Sequence, residues 1–133
     1  DIVTTTSSTN IGLALLSIIS ASDLGFINKE ECIFKLKKIL DTIFKLEKWN
    51  GHLYNWYNIE TLEPLYPRFI STVDSGNFVG YLYVVMQFLA KNNEEEYRQK
   101  VEELIKDTNF SKLYDFEKNL FSYILLGVKS IES

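Results

Sequence analysis

The chain has 133 residues, of which 46% are hydrophobic and 24% charged, so it can bury the core of one globular unit, residues 1–133. Intrinsic disorder is therefore not the expected state of the chain. The formal net charge of −4 offers no basic surface for phosphate groups, which argues against nucleic acid and anionic membranes as partners.

Two helices are predicted in the first third of the chain. Residues 9–22 are apolar on nearly all sides and follow candidate N-caps at Ser8 and Thr9, which indicates a buried helix. Residues 29–47 follow Asn28 as N-cap, with a glutamate three positions later that suits a capping box. Its apolar side chains form a single stripe, so this helix is expected on the outside.

Helical periodicity disappears between Trp49 and Val73, which predicts a long loop. A loop of this length is uncommon inside a compact domain unless it has a function. Residues 76–90 then predict a second buried helix, and residues 94–106 a second amphipathic one. A further helix is expected from about Phe116.

This order of buried and amphipathic helices is typical of stacked antiparallel α/α hairpins, in which one helix of each pair lines a common interior. The expected fold class is therefore all-α. A short internal echo precedes the two buried helices, with STNI at 8–11 and SGNF at 75–78. The echo predicts similar polar groups at one rim of the hairpins.

The long loop and the start of the next helix interleave aromatic rings with polar side chains. Sugars need both, because their C–H faces lie against rings and their hydroxyl groups need fixed donors and acceptors. The competing interpretation is that the rings pack in the core and the polar groups cap turns or the helix. The side chains concerned are Trp49, His52, Tyr54, Asn55, Trp56, Tyr57, Asn58, Arg68, Asp74, Ser75 and Asn77.

No catalytic residue can be assigned from the sequence. Glycosidases use two carboxyl groups that flank the scissile bond, and Glu60, Glu63 and Asp74 stand in suitable settings without an identifiable pair. There is no nucleophile elbow and no glycine motif for phosphate or dinucleotide binding. Because Cys32 and the single histidine are far apart in sequence, no metal site and no cofactor are expected, and Cys32 is expected to be buried.

Several motifs follow one another along the chain: SSTNIGLALLS at 7–17, SDLGFI at 22–27, GHLYNWY at 51–57 followed by LEPL, STVDSGN at 71–77 and LYDFEKNLFS at 113–122. Together they resemble the glucoamylase-like domain of cyclic β-1,2-glucan synthases and related large bacterial carbohydrate-active proteins. The resemblance implies an (α/α)6 toroid whose inner helices surround a cavity that binds and processes β-glucan. It also implies sugar contacts at Asn10, His52, Asn55, Trp56, Tyr57, Asp74, Ser75 and Asn77.

Two features depart from the family pattern. Asn58 stands where relatives typically have Asp, a change expected to weaken a turn or a contact. After Ser122 the pattern of relatives continues with a Gly-Tyr-Asn-type turn and more helices, whereas here YILLGVKSIES closes the sequence. The resemblance therefore predicts part of a toroid, with four or five of its about twelve helices.

Two functional hypotheses follow. The first is a fragment of a glycoside hydrolase or transglycosylase-like domain that binds β-glucan and lacks a complete catalytic site. The alternative is a helical interaction or scaffold module that binds no sugar. Solvent exposure of the loop rings and of the Asp74 carboxylate on one concave surface would favour the first hypothesis, and burial in the core the second.

Assembly and location are further expectations. Inner helices without the rest of a ring would show apolar surface, which predicts a homo-oligomer. The longest apolar stretches fall short of the roughly 20 residues that span a bilayer, so no transmembrane helix is expected. The predicted location is the cytoplasm or the cytoplasmic face of a membrane-bound parent protein.

Overall fold

The computed structural model describes residues 4–132, so residues 1–3 and 133 of the predicted unit 1–133 lie outside the described residues. The described part contains five helices and four short strands. The helices are α1 (Ser8–Asp23), α2 (Lys29–Lys45), α3 (Thr72–Lys91), α4 (Glu95–Asp107) and α5 (Phe110–Glu132). The strands are β1 (Thr5–Ser7), β2 (Lys48–Trp49), β3 (His52–Leu53) and β4 (Trp56–Asn58).

Each predicted helix is present, and the caps explain where the helices begin. The Asn28 side chain accepts a hydrogen bond of 2.8 Å from a backbone amide of α2, which confirms this N-cap. The N-cap of α1 is Ser7, so the prediction of Ser8 or Thr9 is wrong by one or two positions. Helix α3 begins four residues earlier than predicted because Ser71 caps it, and Asp74 is therefore not its N-cap.

The helices form two hairpins that share a core. Helix α1 packs against α2 and α3, and α3 packs against α4, so α1 and α3 are the central pair and α2 and α4 lie outside them. Leu15, Leu36, Leu82 and Leu89 are fully buried between these layers, and so is Cys32, as predicted. Burying one leucine side chain contributes about 1.5–3 kcal/mol, so this apolar seam is a main source of stability.

The two central helices are not buried all round, so the burial predicted from their apolar pattern is wrong, whereas the apolar surface expected of a partial toroid is present. Leu13 of α1 and Tyr83 and Val84 of α3 are 47%, 50% and 44% exposed. The described helices cover only one side of the central pair, which leaves these apolar side chains on the other side in contact with solvent. The predicted homo-oligomer through such a surface stays a prediction.

The segment after α2 contains strands where the sequence suggested only a loop. Strands β2 and β3 form a hairpin whose two turn residues, Asn50 and Gly51, both have positive φ, as a type I′ turn requires. The Asn-Gly dipeptide is a strong hairpin signal, so this element could have been predicted. Strand β4 pairs antiparallel with β1, which connects the beginning of the chain to the loop.

Helix α5 follows α4 after a two-residue connection. Its Leu113 is buried, whereas Phe116 and Phe121 are more than half exposed. Among the helices that the structure describes, none is both long enough and apolar enough to span a membrane.

Candidate functional site

The first turns of α1 and α3 lie side by side and form one rim. Ser8 and Ser75 are both buried, and Asn10 and Asn77, each two residues further on, are both exposed. The two asparagines offer amide groups to solvent. The polar rim that the internal echo predicted is thus present at the start of the two central helices.

Asp74 is a partly buried carboxylate at the centre of this rim. Its backbone amide donates to the Ser71 side chain at 3.2 Å, which places the residue in the first turn of α3, where the helix dipole favours a negative charge. One carboxylate oxygen accepts a hydrogen bond from the Thr9 hydroxyl of α1 at 3.2 Å. In the amide orientation that satisfies its neighbours, Asn55 donates to the other oxygen at 2.8 Å.

Asn55 also connects Asp74 to an exposed aromatic ring. Its side-chain oxygen accepts a hydrogen bond of 3.0 Å from the indole nitrogen of Trp56. The backbone around Trp56 is held by the pairing of β4 with β1, where Ser7 lies opposite Trp56. The Trp56 side chain is 42% exposed, so part of its ring is available to a ligand beside the carboxylate.

His52 and Ser75 form a buried polar contact beneath the rim. The Nδ1 atom of His52 is hydrogen-bonded to the Ser75 hydroxyl, and Nε2 lies 2.8 Å from the backbone oxygen of Asn109. Because a carbonyl can only accept, Nε2 carries a proton. The imidazole also packs edge-on against Phe110 at a centroid distance of 4.9 Å. The contact therefore joins β3, α3 and the start of α5.

Tyr57 is fully buried, in contrast to its neighbour Trp56. Its hydroxyl donates to the Glu47 backbone oxygen at 2.7 Å and accepts from the Tyr54 amide at 2.8 Å. Burial raises the pKa of the Tyr57 phenol above its usual range, and the hydrogen bond from Tyr54 opposes that rise only in part. The neutral phenol of Tyr57 thus connects the backbone of Glu47 to that of Tyr54 beneath the loop.

Arg68 lies apart from the Asp74 contacts. Its guanidinium group forms a salt bridge with Glu47 at 3.1 Å and lies over the rings of Tyr54 and Tyr66, at 5.6 and 5.0 Å from their centroids. With its side chain about one-third exposed, this ion pair contributes little to stability by itself. Arg68 thus connects Glu47, just after α2, to the Tyr54 ring in the loop.

The structure brings some of the predicted site residues together and separates others. Asn55, Trp56 and Asp74 form one hydrogen-bonded group, which also includes Thr9, and we name these four residues the rim cluster. Asn10 and Asn77 are exposed on the same rim. The prediction that His52, Tyr57 and Ser75 contact sugar directly does not fit their positions, because these three side chains are buried and bonded within the protein.

Two side chains gain a role that the sequence did not indicate. The sequence indicates Thr9 only as a candidate helix cap, and nothing in its local sequence shows that it faces a carboxylate 65 positions away. Asn58 was expected to weaken a turn, yet its side-chain oxygen accepts from the amides of Glu60 and Thr61 at 2.8 and 3.0 Å. Asparagine thus closes this turn as aspartate would.

Within residues 4–132, no three His, Cys, Asp or Glu side chains are grouped in a way that could hold a metal ion. Each buried side-chain nitrogen or oxygen of the same region has a hydrogen-bond partner.

Comparison with known proteins agrees with the resemblance found in the sequence. The chain is 50% identical over 80 residues to the cyclic β-(1,2)-glucan synthase NdvB of Rhizobium meliloti (strain 1021). The matched segment is 60% of this chain and 3% of the length of that relative. The resemblance to cyclic β-1,2-glucan synthases is therefore confirmed for this segment.

Two solved structures share the fold. The endo-β-1,2-glucanase from Chitinophaga pinensis, in complex with sophorotriose and glucose, superposes with a TM-score of 0.73 at 23% identity and covers 81% of this chain and 27% of its own. The β-1,2-glucanase from Parabacteroides distasonis also gives a TM-score of 0.73, at 18% identity, and covers 80% of this chain and 16% of its own. The predicted partial α/α toroid is confirmed as the fold.

The two hairpins thus form part of a glucoamylase-like α/α arrangement, and the rim cluster lies at the start of its two central helices. A protein-family profile matches residues 1–129, which is nearly the whole chain. The chain belongs to the family described as "Protein of unknown function (DUF3131)".

Proposed function

We propose that this chain binds β-1,2-linked glucan through the rim cluster of Thr9, Asn55, Trp56 and Asp74. The observation that carries the proposal is the hydrogen-bonded connection from an exposed indole through Asn55 to a fixed carboxylate. A ring and a carboxylate held side by side match the two faces of a glucosyl unit, which has apolar C–H bonds and polar hydroxyl groups.

The Asp74 carboxylate has capacity left for a ligand. An ionised carboxylate offers about four acceptor positions on its two oxygens, and Thr9 and Asn55 occupy one on each oxygen. The remaining positions can accept hydrogen bonds from sugar hydroxyl groups. Because the two protein donors already hold the carboxylate, little conformational entropy is lost when a ligand binds.

The comparisons supply the class of sugar. The curated relative is named for a cyclic β-(1,2)-glucan, and both solved structures are named β-1,2-glucanases, one of them in complex with sophorotriose. A chain with the same fold and an aromatic and carboxylate cluster is suited to the same β-1,2 linkage, and we extend that ligand class to it.

We further propose that the isolated chain binds glucan without cleaving it. Glycoside hydrolysis requires two carboxyl groups that flank the scissile bond. Among the described residues, Asp74 is the one carboxylate of the rim cluster. Release of reducing ends from linear β-1,2-glucan by the purified chain, lost in Asp74→Asn, would contradict this part of the proposal.

The competing function is a helical interaction module, and the burial of His52 and Tyr57 favours it, because these loop side chains pack as core residues do. The two functions differ in what Trp56 and Asp74 do. In an interaction module neither side chain responds to sugar, whereas in a glucan-binding unit both do.

Titration of the purified chain with β-1,2- and β-1,4-gluco-oligosaccharides, followed by tryptophan fluorescence, tests the proposal. We expect saturable binding of the β-1,2 series, weakened about tenfold or more in Asp74→Ala, since hydrogen bonds to charged groups contribute more than neutral ones. Asp23→Asn, at the exposed far end of α1, is the matched control. If the folded chain shows no saturable response at millimolar β-1,2-oligosaccharide, the interaction module is the better description.

A further inference from the structure

One side of α3 carries a stripe of exposed residues along the whole helix. The residues follow one another at intervals of three or four positions, so they lie on a single face. This face points away from the core, because Leu82 and Val85 of the same helix are fully buried. We name it the α3 stripe, and its residues are Val73, Gly76, Gly80, Val84, Gln87 and Lys91.

The two halves of the α3 stripe differ in bulk. In the N-terminal half, a Cβ atom built on Gly76 or on Gly80 meets no atom of the described part of the chain within 4 Å. In the C-terminal half, Val84 and the neighbouring Tyr83 are 44% and 50% exposed. A second α3 that runs in the opposite direction places its bulky half over the glycines. The stripe is therefore complementary in shape to a second copy of itself.

The spacing of the residues favours one register for such a pair. If Gly80 lies opposite the partner's Val84, then Val73, seven positions earlier, lies opposite the partner's Lys91, seven positions later. Seven residues are two helical turns, or about 10.5 Å, so both contacts fall on the same face. Because a two-fold interface repeats each contact, two such Gly–Val contacts lie near its centre.

The two ends of the α3 stripe carry different charges. Thr72, next to Val73, donates a hydrogen bond to the Glu117 carboxylate of α5, so a negative charge lies beside the N-terminal end. At the C-terminal end, Lys91 and Lys29 line an open groove of about 660 Å³ together with one carboxylate, that of Asp23. An antiparallel pair brings the negative end of each copy to the lysines of the other. A parallel pair places like charges opposite each other, which costs free energy.

We propose that the chain forms a two-fold symmetric dimer in which the α3 stripes of two copies pack antiparallel. Val84 of each copy occupies the space over the partner's Gly80, and Lys91 pairs with the partner's Glu117. Association removes Val73, which is 71% exposed, and Val84 from water. The rim cluster shares no residue with the α3 stripe, so this inference does not depend on the proposed function.

Sedimentation velocity of the whole chain over a wide range of protein concentration measures the dimer, and Gly80→Leu tests its shape. The new side chain has free space in the monomer, and leucine favours a helix more than glycine does, so the fold is kept. We expect Gly80→Leu to weaken dimerisation by about tenfold or more, because the leucine occupies the space of the partner's Val84. Gln99→Leu, which adds the same side chain at an exposed position of α4, is the control.

These measurements separate a shaped interface from general apolar association. A surface that associates only because it is apolar gains from an added leucine. A Gly80→Leu dimer as tight as that of the unmodified chain, or tighter, therefore overturns the proposal. A chain that is folded by circular dichroism and monomeric at every concentration overturns it as well, and leaves the α3 stripe to a partner of different sequence.

Charge reversal tests the antiparallel register. Lys91→Glu and Glu117→Lys each place like charges at both ends of the pair, and we expect each to weaken dimerisation by roughly three- to tenfold. The double variant restores opposite charges, and we expect it to dimerise as the unmodified chain does. Single variants without any loss, or a double variant without recovery, overturn this register.

Discussion

The Thr9 hydroxyl in the first turn of α1 donates a hydrogen bond of 3.2 Å to the Asp74 carboxylate in the first turn of α3. This bond joins the two central helices at the rim and fixes the position of the carboxylate. Thr9→Val keeps the shape of the side chain and removes the donor. We expect the free energy of unfolding to fall by about 1 kcal/mol and β-1,2-oligosaccharide affinity to fall severalfold.

Urea denaturation and fluorescence titration measure these two effects. Thr42→Val is the matched control, because the Thr42 hydroxyl bonds only to the Lys38 backbone oxygen within α2 and is exposed. If both valine variants bind sugar equally well, the Thr9 bond does not position the carboxylate.

Gly51 lies where no larger residue fits. It has a φ of 81°, and a Cβ atom built on it would lie within 2.8 Å of the Thr108 Cα and collide with the Asp107 carbonyl. Because the colliding atoms belong to the backbone, they cannot move aside cheaply. We expect Gly51→Ala to lower the free energy of unfolding by about 3 kcal/mol or more.

Gly25→Ala separates the backbone conformation from the collision. Gly25 has the same φ of 81°, but a Cβ there meets no atom within 4 Å. We expect Gly25→Ala to lower the free energy of unfolding by about 1–2 kcal/mol, because alanine disfavours the left-handed backbone conformation. Urea denaturation measures the loss of unfolding free energy in Gly51→Ala and in Gly25→Ala. Equal losses would show that Gly51 does not pack tightly against Asp107 and Thr108 at the end of α4.

The buried phenol of Tyr57 makes stability depend on alkaline pH. Burial raises the pKa of Tyr57 in the folded chain above its unfolded value of about 10, so the unfolded chain releases this proton first. The stabilising contribution is complete below pH of about 10 and decreases as the pH rises further. We expect Tyr57→Phe to lose stability less steeply over this range than the unmodified chain does.

At neutral pH the same variant is expected to be less stable by about 1–3 kcal/mol, because the Tyr54 amide and the Glu47 carbonyl lose their partner. Denaturation in urea from pH 7 to 11 measures both effects. Tyr83→Phe, which removes a half-exposed hydroxyl, is the control. The same alkaline slope in both variants would count against this assignment to Tyr57.

Lys48 closes the C-terminal end of α2. Its ammonium group donates to the backbone oxygens of Ile43 and Leu46 at 2.8 and 2.9 Å, and desolvation lowers the pKa of this partly buried lysine. We expect Lys48→Met to lower the free energy of unfolding by about 1–2 kcal/mol, because these carbonyls lose their donor. Lys45→Met removes an exposed charge from the same helix end. We expect it to lower the free energy of unfolding by only about 0.3 kcal/mol.

Thermal and urea unfolding of the two lysine variants provide the comparison. Similar losses in both would mean that charge near the helix end, rather than the carbonyl contacts, stabilises α2.

Much of the fold could be predicted because its signals are local. Apolar periodicity and caps such as Asn28 act within one or two helical turns, so the sequence by itself determined that helices form and in which order. Aromatic and polar residues near 55 and 74 likewise indicated where a sugar could bind. The Asn50-Gly51 hairpin was equally local and could have been found.

Only the tertiary structure decided which of these residues face solvent. Trp56 and Tyr57 are neighbours of similar chemistry, yet successive side chains of a strand point to opposite faces, so one is exposed and the other buried. Which face meets solvent depends on the pairing of β4 with β1, about 50 residues away in sequence. The contact between Thr9 and Asp74 depends in the same way on the packing of α1 against α3, because distant partners leave no periodic trace in the local sequence.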